Sequence, residues 1–353
     1  IEDLYPLSPM QQGMLFHSAY DAGAGAYINQ LRLTIDGLDV ERFGQCWQAV
    51  LERHEVLRAR YVWEGQAQAL QAIQRAVQLP LTVLDVAPDD LDQLALEQRE
   101  QGFDLHQAPL LRLVLVPLAA QRYELIYTSH HILMDGWSNA QLLGEVLQRY
   151  AGQVPAPVTG RYADYVGWLL AQDPQASEQF WSAQLQALAA PTLLANALPA
   201  PRGGSGQASH QLLLDASTTA RLGEFARHHK VTFNTLLQAA WAILLQRYCG
   251  QPSVAFGATV AGRPAHLPGI EQQVGLFINT LPIICSPEAT QSVASWLQQV
   301  QAHSVVLREH EHTPLYDIQR WAGQPGSALF DTLLVFENYP VSQALQAGAP
   351  AGL

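Results

Sequence analysis

The sequence predicts a layered α/β sandwich divided into two lobes. Three observations lead there. A chain of 353 residues exceeds one ordinary core, 48% of it is apolar so that two cores can be filled, and strand-like and helix-like periodicities alternate along it.

The first helix is signalled by "SPMQQGMLFHSAY", with Ser8 as N-cap, Pro9 at the first helical position and Gln11 where a capping-box partner belongs. In "INQLRLTIDG", Leu31, Leu33 and Ile35 alternate with polar neighbours before a turn at Gly37, the pattern of a half-buried strand. From Asp39 the period becomes helical through Val40, Phe43, Trp47, Val50 and Leu51, leading into "ERHEVLRARYVW", where Arg58 and Arg60 fall in the next strand. The runs "LLRLVLVPL" and "YELIYTSHHI", separated by "AAQR", read as a hairpin.

A further helix opens at Asp173 and Pro174 and runs through Phe180 and Trp181. Between residues 189 and 209, Pro, Gly, Ser and Ala replace periodic pattern, "RGGSGQ" reads as linker, and the lobe boundary belongs in this region. The lobes are drawn as 1–175 and 176–353. The second begins at "HQLLLDA" and carries helices around "RLGEFARHH" and "TLLQAAWAILLQRY". Strands "SVAFGATVAG" and "VGLFINTLPIIC" then bracket a loop with Gly262, Arg263, Pro264 and Pro268. An amphipathic helix and the apolar strand "FDTLLVFENY" follow, and the closing "GAPAGL" has no structural signature.

Composition excludes several function classes. The net charge is -12 and Lys230 is the one lysine, which argues against a polyanion partner, since nucleic-acid binding needs a concentrated basic face. Cys46, Cys249 and Cys285 are odd in number and far apart, which fits a reducing cytoplasm better than a disulfide framework. No apolar run reaches membrane-spanning length, and "IEDLYPLSPM" lacks the regions of a signal peptide. The expectation is a cytoplasmic protein, or a piece of something larger, with neither nucleic-acid nor membrane partners.

The chemistry concentrates in "YELIYTSHHILMDGWSNAQLLGE". Strand alternation puts Leu125, Tyr127, Ser129 and His131 on one face and Glu124, Ile126, Thr128 and His130 on the other, so one histidine faces a given cavity. Asp135 and Gly136 signal a turn, and Ser138 with Gln141 reads as a capping box for the helix bearing Leu142, Leu143, Val146, Leu147 and Tyr150. A strand end before a tight loop is a usual place for catalytic groups, although a histidine there is more often a hydrogen-bonded interior residue, and spacing alone does not choose. A metal is disfavoured because adjacent strand positions diverge and no third ligand is near. A serine triad lacks its nucleophile elbow. His310 and His312 in "REHEHTP" read as a solvated loop.

The segment "HHILMDG" matches the His-His-x-x-x-Asp-Gly signature, and the chain resembles the condensation domains of nonribosomal peptide synthetases, relatives of chloramphenicol acetyltransferase. "LSPMQQGMLFH", "RHEVLR", "YADYVGW", "VGLFINTLP", "HTPLYDIQR" and "FDTLLVFENYP" resemble further motifs of that family, in its order. The second histidine pair, His228 and His229, has Phe233 where the signature needs Asp and reads as an exposed helix end. The family continues past the "FENYP" strand, so the second lobe is expected to be incomplete at its C-terminus.

The resemblance implies two chloramphenicol-acetyltransferase-like lobes in a V-shaped pseudo-dimer with a tunnel between them. It implies amide formation between a donor acyl or peptidyl thioester and an acceptor aminoacyl amine, both on phosphopantetheine arms of peptidyl carrier proteins. No tightly bound cofactor is implied, and the module would be monomeric beside an adenylation domain. His131 becomes the tunnel-facing catalytic residue, as base or positioner, with Gly136 allowing the turn and presenting its N–H; His130 becomes structural. Buried Asp135 would need a cation, for which Arg58 is the first candidate and Arg60 the second. Ser8, Gln11, Trp137 and Asn279 are candidate tunnel-lining residues.

The opening motif is more similar to the subtype that takes a donor ending in a D-residue. An epimerization domain and a non-catalytic recruitment domain are the alternatives. The first is disfavoured because the Ser-Trp-Arg continuation after Gly136 is missing, the second because the histidine motif is intact.

Overall fold

A computed structural model of the chain describes residues 1–20, 27–199, 208–323 and 328–337. Packing divides it into two units, Ile1–Ala171 with Arg263–Ile278, and Gln172–Gly262 with Asn279–Glu337.

The first unit contains β1 (Asp3–Pro6), α1 (Pro9–Tyr20), β2 (Ile28–Asp36), α2 (Val40–Arg53), β3 (Ala59–Val62), β4 (Leu70–Ile73), β5 (Leu81–Val83), α3 (Leu91–Glu100), β6 (Leu111–Ala119), β7 (Arg122–His130), α4 (Gly136–Tyr150) and α5 (Tyr162–Leu170). A four-stranded sheet runs β2-β7-β6-β5 and a three-stranded one β1-β4-β3. The hairpin β6–β7 and the β2–β7 pair are antiparallel, the latter in register from Ile28↔His130 to Asp36↔Arg122, whereas β5 lies parallel to β6. Alternation on β7 distributes its side chains as the sequence requires. Leu125 and Tyr127 join the main core with Phe43, Trp47 and Val50 of α2 and Leu142 and Val146 of α4, while Ile126 packs with Val114, Val116 and the Leu94 and Ala95 of α3. The sheet is thus covered by α2 and α4 on one face and by α3 on the other.

The second unit holds α6 (Pro174–Leu185), α7 (Leu194–Ala197), α8 (Ala216–His228), α9 (Phe233–Cys249), β8 (Val254–Val260), β9 (Asn279–Cys285), α10 (Val293–Leu307), α11 (Leu315–Trp321) and β10 (Leu333–Leu334). Its sheet runs β10-β8-β9, with β8 antiparallel to β9 and parallel to β10. Phe256, Leu281 and Ile283 pack there with Trp181, Ala242, Leu245, Trp296 and Val300.

Three sequence expectations need correction. A single cut at 175/176 fails because Arg263–Ile278 packs in the first unit, whose core takes Ile270, Val274, Leu276 and Phe277. The strand read from "VGLFINTLPIIC" accordingly starts only at Asn279. The supposed linker is in part integrated into the second unit: Thr192 is fully buried, bonds to Leu329 and bridges Phe330, and Leu194 and Ala195 donate to Asp331. "RGGSGQ", the end of the "FENYP" strand and the closing "GAPAGL" lie outside the described residues. Among the described residues, no helix is long and apolar enough to cross a membrane.

Candidate functional site

The site is built where β7 ends. Alternation stops at His130 because the Leu133 N–H closes a turn onto the His130 carbonyl (3.2 Å), so His131 sits in that turn rather than on a strand face. Ile132, Leu133 and Met134 behind it are buried, which anchors the loop by its apolar side chains. The Ile132 carbonyl accepts from Gln11 Nε2 (3.1 Å) and the Tyr61 hydroxyl (3.3 Å). Gln11 is in turn fixed by the expected capping box, its Oε1 accepting the Ser8 N–H at 3.0 Å.

The two histidines are held differently. His131 is half-buried, and its Nδ1 lies 2.9 Å from the Met134 carbonyl. A carbonyl only accepts, so Nδ1 carries the proton and Nε2 of the neutral ring is left with its lone pair. His130 is buried, and its Nδ1 accepts the Ile132 N–H at 3.1 Å. Burial, reinforced by the neighbouring His131, pushes the His130 imidazole down to about 4.

Asp135 is 1% exposed and is the N-cap of α4, its Oδ1 accepting the Ser138 N–H at 2.8 Å. Oδ2 accepts the Phe277 N–H (3.1 Å), and Nη2 of Arg263 donates to Oδ1 (3.3 Å). That guanidinium also reaches the Ser138 hydroxyl (2.7 Å) and the Ile270 and Gln273 carbonyls, and lies over the Phe277 ring at 4.0 Å. Burial pulls Arg263 below its ordinary range, opposed by the Asp135 charge. The Ser138 hydroxyl donates to the Gly275 carbonyl (2.8 Å), which also accepts the Asp135 N–H (3.1 Å). Segment 263–278 is itself clamped by Tyr162, whose hydroxyl donates to Leu276 at 2.7 Å, and by Trp137, whose indole donates to Glu271 at 3.1 Å.

Several residue assignments change. Arg58 is not the partner of Asp135: it lies in the 3-10 turn Glu55–Arg58, where its guanidinium pairs with Glu2 (2.6 Å) and the Gln74 carbonyl. Asp135, not Ser138, caps α4, because Gly275 offers the Ser138 hydroxyl a tertiary acceptor. Gly136 opens the helix and is not among the glycines in the left-handed region, so the turn does not depend on its conformational freedom. Ser8, Gln11 and Asn279 are buried rather than lining open space, and Asn279 Nδ2 donates to the Glu311 and Thr313 carbonyls, both at 2.8 Å.

Trp137 lines a pocket of about 330 Å³ with Arg53, His54, Gln141, Glu145 and Val274, among others; His131 does not line it. His310 and His312 are not a solvated loop. His310 stacks on Phe180 with centroids 3.7 Å apart, His312 is 3.1 Å from the Ser177 hydroxyl, and burial lowers both imidazoles. Among the described residues, no three His, Cys, Asp or Glu side chains group to hold a metal. Arg263 carries no sequence signal as a partner, since 128 residues separate it from Asp135.

Comparison with known proteins extends this geometry. A family model described as condensation domain matches residues 1–349. A linear gramicidin synthase polypeptide of Brevibacillus parabrevis is 42% identical over 98% of this chain, which spans 5% of that protein. The X-domain from teicoplanin biosynthesis is similar at TM-score 0.76 and 27% identity, covering 93% of this chain and 76% of that one. The first condensation domain of the calcium-dependent antibiotic synthetase superposes at TM-score 0.76 over 95% of this chain and 81% of its own, a likeness of fold at 20% identity.

Proposed function

The chain belongs to the condensation-domain family, and from that premise we propose that it joins two carrier-bound substrates through an amide bond. The acceptor amine attacks the donor thioester carbonyl, the C–N bond forms, the C–S bond breaks, and the donor phosphopantetheine leaves as thiol with the proton the amine gives up. The observation that carries this reading is the His131 tautomer, with Nδ1 committed to Met134 and Nε2 able to take that proton. A thioester is already activated, so the protein's main task is alignment, and a loop pinned through Tyr27, Gln11, Tyr61, Gly275 and Arg263 suits it. Gly136 begins a helix, and its N–H has no intrahelical acceptor, which suits it to a carbonyl oxygen gaining charge.

Donor and acceptor peptidyl carrier proteins are the proposed partners, with an adenylation domain alongside in the same cytoplasmic assembly line and the domain itself monomeric. The donor chain is proposed to end in a D-residue, on the strength of "SPMQQGMLFH".

The test loads two carrier proteins with different aminoacyl-phosphopantetheines, offers the donor as D and L forms, and weighs the acceptor carrier by intact mass with and without His131→Ala. A gain of one donor acyl group, larger with the D form and lost in the variant, is the expected result. No gain across several pairs with folded protein would sink the proposal. Deuterium exchange at the tethered α-carbon would then separate epimerization from recruitment.

A further inference from the structure

Tyr27 is where the chain enters β2, and its backbone lies in the left-handed region with φ of 64°. Residues with a Cβ are disfavoured there, Asn and Asp less than others, and a bulky aromatic is a conspicuous occupant. Such a conformation persists only where its surroundings impose it, and it clusters at functional sites. Here it accompanies a hydrogen bond to the histidine motif. The Tyr27 carbonyl accepts the His131 N–H at 2.7 Å, one step beyond Ile28↔His130, the last pair of the β2–β7 ladder. The ring of the same residue lies against His130 with centroids 6.3 Å apart and tilted by 45°, and against His17 at 6.4 Å. One residue therefore touches both histidines of the motif, the first through its ring and the second through its backbone.

We propose that Tyr27 is a positioning residue for His131, its left-handed backbone fixing where the ladder ends and therefore where the imidazole is presented. The ring of His131 is tied at Nδ1 and its backbone at the amide; the Tyr27 carbonyl supplies the second tie. Without that tie, the turn after β7 pivots on its remaining bonds and Nε2 moves with it. Misplacement by about 1 Å of a group that must meet a reacting atom costs on the order of 100-fold in rate.

The inference rests on the proposed role of His131, so its test carries a readout independent of turnover. In the intact polypeptide that bears this chain, three variants separate ring from backbone. Tyr27→Phe keeps the ring and the strained backbone, Tyr27→Asn accepts the left-handed region without the ring, and Tyr27→Val has no ring and resists that region. Amide-forming kcat, the KM for the acceptor carrier, the thermal midpoint and the His131 ring signals in a 1H–13C NMR spectrum, assigned by difference from His131→Ala, are measured for each.

Tyr27→Phe should stay within about twofold of the parent, and Tyr27→Val should fall about tenfold or more below Tyr27→Asn in kcat with KM unchanged. The His131 signals should move in Tyr27→Val and hold in Tyr27→Phe. Equal kcat for the Asn and Val variants, a loss confined to KM, or losses that follow the thermal midpoint with unmoved His131 signals would overturn the proposal. A parent protein that makes no amide sinks the functional reading instead. The His131 signals then decide alone: displacement in Tyr27→Val but not in Tyr27→Asn supports Tyr27 as positioner, and the same spectrum in both refutes it.

Discussion

Asp135→Asn removes the charge that faces Arg263 while keeping the size of the side chain. An amide cannot reproduce the present bonding. Ser138 N–H and Arg263 approach Oδ1 and Phe277 N–H approaches Oδ2, so whichever side the NH2 occupies, it meets a donor. The Arg263 side chain is 6% exposed and would be left without its carboxylate. Breaking a buried pair from one side costs roughly 3–5 kcal/mol, and that is the loss expected for Asp135→Asn in urea unfolding followed by tryptophan fluorescence.

Arg263→Met leaves the carboxylate with two N–H partners and should cost roughly 2–5 kcal/mol. In the double variant neither charge is stranded, so the two losses should fall short of adding by about 2 kcal/mol. A coupling below about 0.5 kcal/mol would refute the reasoning, because it would mean that the Ile270 and Gln273 carbonyls and the Ser138 hydroxyl hold the guanidinium without Asp135.

Two further outcomes are expected. His130 is held near 4 when folded against an ordinary 6.5, so between these values the unfolded chain binds the proton and the folded one does not; stability contributed above pH 6.5 is lost as pH falls toward 4, by roughly 3 kcal/mol in all. His130→Asn, which can still accept the Ile132 N–H, should flatten that slope, and an unchanged difference between parent and variant across pH 4–6.5 would contradict it. Gly275→Ala places a Cβ 2.4 and 2.7 Å from ring carbons of Tyr162, a ring held at its hydroxyl by Leu276; a loss of about 1–3 kcal/mol in thermal unfolding and easier proteolysis within 263–278 should follow, and a neutral substitution would show that the segment is loosely seated.

What is legible in the sequence is local. The Ser8–Gln11 box, the β6–β7 hairpin and the opposite destinations of Tyr127 and Ile126 each depend on residues within one or two turns or on strand period alone. The misreadings share the opposite property. Asp135 and Ser138 are both good cap residues three apart, and Gly275, 137 residues from Ser138, decides between them by accepting the serine hydroxyl. Arg58 is close in motif order, but a turn after α2 commits it to Glu2, and the cation that Asp135 needs arrives from a segment that the sequence pattern places in the other lobe. Tyr27 escapes notice altogether, since nothing in "AYINQ" announces a left-handed aromatic.

The adjacent histidines acquire opposite tautomers from their backbone partners. His130 accepts at Nδ1 and must keep its proton on Nε2; His131 donates at Nδ1, which in the neutral ring leaves Nε2 bare. Because burial holds the His130 imidazole down to about 4, that ring adds no positive charge beside His131 at physiological pH. A turn that exchanged these two backbone partners would put the Nε2 lone pair on the buried ring of His130 and a proton on Nε2 of His131. The role proposed for His131 therefore depends on the Leu133 turn and the Met134 carbonyl as much as on the identity of the residue, and the bonds from Tyr27, Gln11 and Gly275 matter because they hold that turn in one form.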